Sequence, residues 1–373
     1  MSGNQTGSWW PAYKAVRRAH LWLAALASLP LVILSITGAL LVFGHEIQAA
    51  LWPAEWQVDG SLEPLPFEEL VARFDRQLPG IPIAAIAMEQ PKGHAWTFWL
   101  GNGQGVANVD PATGAVLKHY QQNDTLYGFV RALHRWLLVP GDTRPWARHL
   151  VSVTALILII QIIVGTWMWA LPPKRMKRLT IPRRGSTHLI VQRAHSVTAL
   201  VTGAILALIA FTGISFNWHD TAEAVVSSVT FGPVRKPGDI SAQAIAGQRD
   251  IDRAVAAALD AVPGAKLKSV NVPKLNTQPV NIRVGTPDAL NVTLVRVHPA
   301  SGDVFDIHHA AHHNTATAFM QMAYKLHVGD FWGLPVRILW LLLALAPAAY
   351  VISGFWLFAN RTGLRRRRQP RKP

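Results

Sequence analysis

Long runs of apolar residues alternate with polar stretches along this chain. Four runs carry no Lys, Arg, Asp or Glu in their centres, and each reaches the roughly 20 residues that a helix needs to cross a bilayer. They occupy residues 21–43, 150–171, 197–216 and 334–358. The pattern therefore predicts an α-helical membrane protein with four spans.

Basic clusters at the ends of the runs predict how the spans are oriented. Lys and Arg gather at residues 14–18 before the first span, at 174–184 between the second and third, and at 361–372 after the fourth. Since Lys and Arg are enriched in cytoplasmic loops, these three regions and both termini are expected in the cytoplasm. The predicted order is a cytoplasmic N-terminus and span 1 (1–51), outer module 1 (52–144), span 2 (145–173), a basic loop (174–187), span 3 (188–219), outer module 2 (220–333), span 4 (334–360) and a basic tail (361–373).

Both outer segments read as small α+β units. Apolar residues have helical spacing at 66–78 and 251–262, whereas 96–100, 280–284 and 292–297 alternate as strands do. Pro and Gly at 110–114 and 298–302 indicate hairpin turns. An amphipathic stretch follows each hairpin, at 126–139 and 316–328, and is expected to lie along the membrane surface, with His134 and His327 just outside the spans.

The two halves of the chain repeat one another in order. Val16-Arg17-Arg18-Ala19-His20 recurs as Val191-Gln192-Arg193-Ala194-His195, and Thr37-Gly38 recurs as Thr212-Gly213 at the same offset. Segment 109–116 resembles 297–304, and Gly165-Thr166-Trp167 resembles Gly354-Phe355-Trp356. The sequence therefore predicts an internal duplication of span, outer module and span.

Composition narrows the chemistry. The chain has a formal net charge of +15, but its charges are segregated beside apolar runs, which indicates membrane topology instead of nucleic-acid binding. Cysteine is absent, which excludes disulfides, thiol nucleophiles, iron–sulfur ligation and covalently attached haem. Histidine, by contrast, occurs 15 times and concentrates near the ends of the apolar runs.

The duplicated plan, the Arg-x-His at the start of the first span, the x-D-P-x-T-G hairpin and the Leu-His-Arg of the amphipathic stretch resemble the PepSY-associated transmembrane family. The likeness covers about residues 14–360. Within that family the chain looks most like bacterial inner-membrane ferric-siderophore (ferrioxamine-type) reductases. The resemblance implies two PepSY-like outer modules in the periplasm, non-covalent haem b and reduction of ferric iron.

The histidines fit such a cofactor, because imidazole is a usual axial ligand of haem held in a helical bundle. His20 and His195 are repeat equivalents at the cytoplasmic ends of their spans. His20 and His45 are 25 residues apart, roughly 37 Å along a helix, so an electron path across the membrane needs at least two haems. The outer haem has five candidate ligands, among which the sequence does not choose: His45, His134, His149, His219 and His327.

Each histidine also has a plainer interpretation as a helix cap or a partner of lipid headgroups. His308, His309, His312 and His313 form a run in the second outer module that is interpreted as a solvated loop, with metal binding as the alternative. His94, His119 and His298 are expected at the surface of the modules.

The leading hypothesis is a di-haem oxidoreductase that takes electrons from a quinol or a cytoplasmic donor and reduces a ferric hydroxamate siderophore. No catalytic triad, Rossmann motif or P-loop is visible, so no catalytic side chain is expected. The alternative is a non-enzymatic membrane regulator or chaperone-like protein that binds partners through its outer modules. A transporter is disfavoured, because four spans with few polar residues offer little lining for a pathway.

Overall fold

The computed structural model describes residues 9–88, 93–171, 175–238, 249–273, 278–286 and 290–361. The chain forms two compact units that are each assembled from distant segments. The first unit, the helical bundle, comprises Met1–Val42, Val130–Ala222 and Ala323–Pro373; the second, the sheet unit, comprises Phe43–Phe129 and Glu223–Met322.

Four long helices make the bundle: α1 (Trp9–Val42), α6 (Arg144–Ala170), α7 (Thr187–Ser215) and α11 (Leu334–Arg361). Helix α1 packs against α6 and α11, and α7 packs against the same two helices. Each is long and apolar enough to cross a membrane. Large apolar side chains such as Trp22, Leu26 and Val201 are more than 70% exposed on the outside of the bundle. Such a surface suits lipid, because hydrocarbon solvates apolar side chains and the helices satisfy their own backbone. The predicted four-span membrane protein is confirmed.

A serine hydroxyl of α1 forms hydrogen bonds with the backbone of α11 beside a proline. Pro347 lies inside α11 and has no backbone N–H to donate. Ser35 of α1 donates to the Ala344 carbonyl and accepts from the Ala348 backbone N–H at 3.2 Å. Its hydroxyl is therefore inserted into the hydrogen-bond ladder of α11 at the proline, which also fastens α1 to α11.

The sheet unit is built on one antiparallel sheet of eight strands. Their order is β4-β3-β2-β1-β5-β6-β7-β8. The strands are β1 (Ile83–Ala87), β2 (Trp96–Leu100), β3 (Val106–Val109), β4 (Val116–Tyr120), β5 (Lys266–Asn271), β6 (Val280–Gly285), β7 (Val292–Val297) and β8 (Val304–His308). The central pairing joins β1 to β5 through Ala85↔Asn271, Ile86↔Val270 and Ala87↔Ser269. The two outer segments therefore share one continuous sheet.

Two amphipathic helices, α4 (Phe67–Gln77) and α9 (Ile251–Ala261), supply the core of this unit together with the sheet. Leu70 and Phe74 of α4 and Ala258 of α9 are fully buried, as are Ile86 of β1 and Val270 of β5. Each large apolar side chain buried in this way contributes about 1.5–3 kcal/mol. The helices 66–78 and 251–262 and the three strands predicted from the sequence match these elements to within about two residues.

The N-termini of α4 and α9 cap each other. Asp252 accepts hydrogen bonds from the backbone N–H groups of Phe67 (2.7 Å) and Glu68 (3.0 Å). Glu68 in turn accepts from the backbone N–H of Ile251 at 2.8 Å. Since a capping side chain contributes about 1 kcal/mol, this exchange stabilises both helix ends and ties the two halves of the sheet unit together.

The hairpin turns form where the sequence predicts them, with one correction. Gly114 and Gly302 adopt φ values of 71° and 79°, which favour glycine. Asp110 accepts from the backbone N–H of Ala112 at 2.9 Å in the first turn. The expectation that the equivalent His298 lies at the surface is wrong. Its side chain is only 2% exposed, because its Nδ1 accepts from Ala300 and Ser301 (3.1 and 2.9 Å) and holds the ring inside the turn.

The described residues also form five shorter α-helices: α2 (Gly44–Leu51), α3 (Pro53–Trp56), α5 (Leu126–Trp136), α8 (His219–Thr230) and α10 (Thr315–Val328). Helices α5 and α10 are the amphipathic stretches predicted at 126–139 and 316–328. Their C-terminal halves belong to the bundle.

Candidate functional site: two histidine pairs in the helical bundle

His134 of α5 and His327 of α10 lie beside one another in the bundle. Their ring centroids are 6.1 Å apart and the rings are tilted by 58°. Both residues belong to helices outside the four spans, as expected, but the ring of His134 contacts Thr37 of α1 and the ring of His327 contacts Thr212 of α7. Each ring therefore reaches a residue of a membrane-spanning helix.

Glycines make room for both rings. A Cβ at Gly38 would lie 3.2 Å from Cε1 of His134, and a Cβ at Gly213 would lie 3.0 Å from Cε1 of His327. Both distances are tighter than ordinary van der Waals contact, so a larger residue at either position would push the ring away. The recurring Thr-Gly dipeptide therefore has a structural role. The threonine hydroxyl contacts Nδ1 of the ring, and the glycine leaves the space in which the ring packs.

The hydrogen bonds around these rings assign the tautomer of each. Thr37 donates its hydroxyl proton to the Ile33 carbonyl at 2.6 Å, so it accepts from Nδ1–H of His134 at 2.9 Å. Nδ1 of His327 lies 2.9 Å from the Ile209 carbonyl, which can only accept. In both rings the proton is thus on Nδ1, and Nε2 keeps its lone pair. This is the tautomer that binds a metal ion through Nε2 while Nδ1–H is held by an outer partner.

The charge state of the pair agrees with that assignment. Burial, followed by the charge of His327, lowers the pKa of His134 to about 3. Burial also lowers the pKa of His327. Both imidazoles are therefore neutral near pH 7, which is the form that coordinates metals.

The donor chemistry of this pair fits a haem. Two neighbouring imidazoles, with ring centroids 6.1 Å apart and Nε2 of each available, are side chains that would hold a haem iron without covalent attachment.

A second pair, His20 of α1 and His195 of α7, lies elsewhere in the bundle. Helices α1 and α7, which carry these residues, both pack against α6 and α11. A Cβ at Gly165 of α6 would lie 3.7 Å from Cε1 of His20, and one at Gly354 of α11 would lie 3.8 Å from Cε1 of His195. Each ring again packs over a glycine of a neighbouring span, here at ordinary contact distance.

Only one ring of this second pair has a partner at Nδ1. Ser353 donates its hydroxyl proton to the Ala349 carbonyl at 2.7 Å, and it accepts from Nδ1–H of His195 at 2.7 Å. Nδ1 of His20 is buried without a hydrogen-bond partner among the described residues. The backbone of His20 is held instead, since Gln161 donates to its carbonyl at 2.8 Å.

The other three predicted ligands have different surroundings. His45 in α2 is exposed and packs against Tyr127, with ring centroids 4.0 Å apart. His149 is exposed and its Nδ1 accepts from the indole N–H of Trp218 at 2.8 Å, while His219 is exposed at the start of α8.

The histidine run of the second module begins with His308, the last residue of β8, and continues through a short 3₁₀ turn, Ala310–His312. His308 lies 2.9 Å from a carboxylate oxygen of Asp306, and the rings of His309 and His312 are 5.0 Å apart. Within the part of the chain that the structure describes, no group of three or more His, Cys, Asp or Glu is arranged to hold a metal ion. A haem held by two histidines needs only two protein ligands. The absence of a group of three or more ligands therefore says nothing about the two pairs.

The site depends on residues whose role the sequence did not reveal. Thr37, Thr212 and Ser353 hold ring nitrogens, and four glycines receive the rings. The signal was present in the recurrence of Thr-Gly at a fixed offset and of Gly-x-Trp in the second and fourth spans, which indicated duplication but not ring contacts.

Comparison with known proteins assigns the family. No curated protein matches the chain. The family model of the PepSY-associated TM region matches residues 17–361, which include all four spans, both histidine pairs and the whole described part of the sheet unit. The protein is therefore a member of the PepSY-associated transmembrane family.

Proposed function

We propose that the protein is a di-haem membrane reductase that delivers electrons across the bacterial inner membrane to ferric siderophore iron in the periplasm. The observation that carries the proposal is the presence of two histidine pairs in one bundle, each seated over glycines of the spans. His20 and His195 would hold one haem b, and His134 and His327 the other. Haem held by two imidazoles supplies reversible one-electron transfer.

The two pairs lie at different levels of the bundle. Eighteen residues separate His20 from Gly38 in α1, and eighteen separate His195 from Gly213 in α7. At 1.5 Å per residue this is roughly 27 Å along each helix. Two sites at the two ends of the spans are what an electron path across a bilayer needs, whereas a single site serves only one face.

The protein's own residues orient the histidine rings at these sites and would exclude water from them. Thr37 and the Ile209 carbonyl keep Nδ1–H of their histidines occupied, so that Nε2 of each ring is available to a ligand. The four spans are apolar, with mean hydropathies of 2.1 to 2.3, and would shield haems at the pairs from water. No protein group needs to gain or lose a proton during this task.

Basic residues support the orientation of the chain, with both termini and loop 174–187 in the cytoplasm and residues 52–144 and 220–333 outside. Internal duplication is supported by the symmetric strand order about the β1–β5 pairing and by the matching contacts His134–Gly38 and His327–Gly213.

Reporter fusions test this topology. A fusion at Gly101 or Gly264 is expected to report an external location, and a fusion at Thr180 a cytoplasmic one, because Thr180 follows the basic residues 175–178. A cytoplasmic signal at Gly101 or Gly264 overturns the orientation but leaves the four spans intact.

The substrate follows from the resemblance to ferric-siderophore reductases and from one-electron chemistry. A quinol or cytoplasmic donor loses one electron, and the ferric ion of a hydroxamate chelate gains it. The ferrous ion binds hydroxamate more weakly and is released. The resemblance to that subfamily is the support for this substrate, since no residue of the sheet unit identifies it.

The test is to reduce purified protein with dithionite, remove the excess, and add a ferric hydroxamate together with a ferrous trap. Haem reoxidation with an equal amount of trapped ferrous iron supports the reductase. If the haem stays reduced with several ferric chelates but reoxidises with another acceptor, the siderophore is the wrong substrate. If no haem is bound, the reductase is wrong and the alternative of a partner-binding regulator takes its place.

A further inference from the structure

Three guanidinium groups surround the indole of Trp136 at the end of α5. The Cζ atoms of Arg135, Arg144 and Arg148 lie 5.7, 5.1 and 5.6 Å from a centroid of the Trp136 ring. Trp136 is itself buried, where it packs against Ala132 and Ala147. The start of α6 and the end of α5 thus present three positive charges around one aromatic ring.

Two of these charges occupy an unfavourable place in α6. Arg144 is the first residue of this helix and Arg148 lies one turn later on the same face. The first turn contains no acidic residue, and Thr143 makes no side-chain cap. Since a helix N-terminus carries a partial positive charge and unpaired N–H groups, cations there are repelled both by the helix and by one another.

The same two side chains lie over the Trp136 ring but lack an anionic partner among the described residues. Nε of Arg144 and Nε of Arg148 are both buried without a hydrogen-bond acceptor. Neither side chain forms an ion pair with any carboxylate of the described residues. A buried donor of a charged group that has no acceptor costs free energy, so this arrangement calls for an acceptor from outside the chain.

We infer that Arg135, Arg144 and Arg148, together with the N-terminus of α6, form an oxyanion-binding site. One carboxylate or phosphate group would accept from the guanidinium groups, neutralise their repulsion and complement the helix end. Two kinds of molecule would bring such a group to this position. One is a haem held by His134, which lies two residues before Trp136 and whose propionates are carboxylates; the other is an anionic phospholipid. Binding of a haem propionate rests on the proposed function, whereas binding of a phospholipid does not.

A porphyrin experiment tests the carboxylate source. The full-length protein is stripped of porphyrin and reconstituted with haem b or with haem dimethyl ester, which has no propionate charge. The wild type is expected to bind haem b at least about tenfold more tightly, since each charge-assisted hydrogen bond is strong. R144Q/R148Q is expected to lose this preference, while the exposed-loop control R175Q/K177Q, which removes the same charge, keeps it.

A lipid titration tests the phosphate source on the same three proteins. Phosphatidylglycerol, but not phosphatidylcholine, is expected to raise the denaturation temperature of the wild type and the control but not of R144Q/R148Q. A preference for haem b over its dimethyl ester, or for phosphatidylglycerol over phosphatidylcholine, supports the oxyanion site if only R144Q/R148Q loses it. The preference that is lost identifies the ligand. If the wild type, which needs no substitution, shows neither preference, the site is wrong. If the wild type binds neither porphyrin, the haem proposal is wrong. The lipid titration alone then shows whether the oxyanion site exists.

Discussion

The two histidine pairs differ in how their rings are held. At the His134–His327 pair, both Nδ1 atoms are engaged, by Thr37 and by the Ile209 carbonyl, and both rings press closely on glycine. At the His20–His195 pair, only His195 has an Nδ1 partner, and the glycine contacts are looser. Outer hydrogen bonds to a ligating imidazole raise its basicity and fix its orientation. The comparison teaches that two haems held as proposed would be tuned separately by what lies behind each ring.

A single sequence difference explains this asymmetry. The residue before Gly354 is Ser353, whose hydroxyl reaches His195. The residue before the equivalent Gly165 is Val164, which has no polar group to offer His20. The residue before each glycine therefore decides whether the neighbouring ring nitrogen has a partner.

The largest expected effect comes from removing one ligand of each pair. His20→Ala and His134→Ala are each expected to leave one haem of the two per chain, and the surviving haem differs between them because the pairs are separate. Pyridine haemochrome content and a redox titration measure this. His119→Ala serves as the control, since His119 is exposed in β4 and should retain two haems. Loss of the same redox component in both variants contradicts two independent sites.

A smaller effect is expected from adding one methyl group behind each ring. In Gly213→Ala the new Cβ would lie 3.0 Å from His327, so the ring must shift, at a cost of about 1–3 kcal/mol. In Gly354→Ala the nearest atom of His195 is 3.8 Å away, which is ordinary contact. Both changes raise helix propensity equally, so each is the control of the other.

The measurement is haem retention during dialysis against a haem-binding protein. Faster loss is expected from the His134–His327 site of Gly213→Ala, and no change is expected from Gly354→Ala. Equal behaviour of the two variants would mean that glycine contacts do not distinguish the pairs.

The smallest effect is expected on the midpoint potential when the residue behind His195 or the residue behind His20 is replaced. Ser353→Val removes a hydrogen bond from Nδ1–H and should raise the midpoint potential of that haem, because a less basic imidazole stabilises the ferric state less. Val164→Ser should give His20 a partner and lower the same potential. A hydrogen bond of about 1 kcal/mol corresponds to a shift of about 40 mV, since a tenfold change is 59 mV for one electron. Shifts of the same sign in both variants contradict the account.

The sequence predicted the spans, the strands and the helices of the sheet unit, because each of these follows from local periodicity. It did not predict the shared sheet, since the β1–β5 pairing joins residues that lie far apart in the chain. It nominated His134 and His327 only among five outer candidates. That these two rings lie side by side depends on their packing over Gly38 and Gly213, and a contact of this kind leaves no local pattern. His298 was misjudged for a related reason, since burial of a polar side chain depends on turn donors that only the fold brings to it.

The most direct test of the central claim, two bis-histidine haem sites in one bundle, is electron paramagnetic resonance of the oxidised wild-type protein together with haem quantification. The account predicts two haem b per chain, both low-spin with two imidazole ligands and both extractable by acid–acetone. A single haem per chain, a high-spin signal from an iron with one protein ligand, or no haem at all would contradict it.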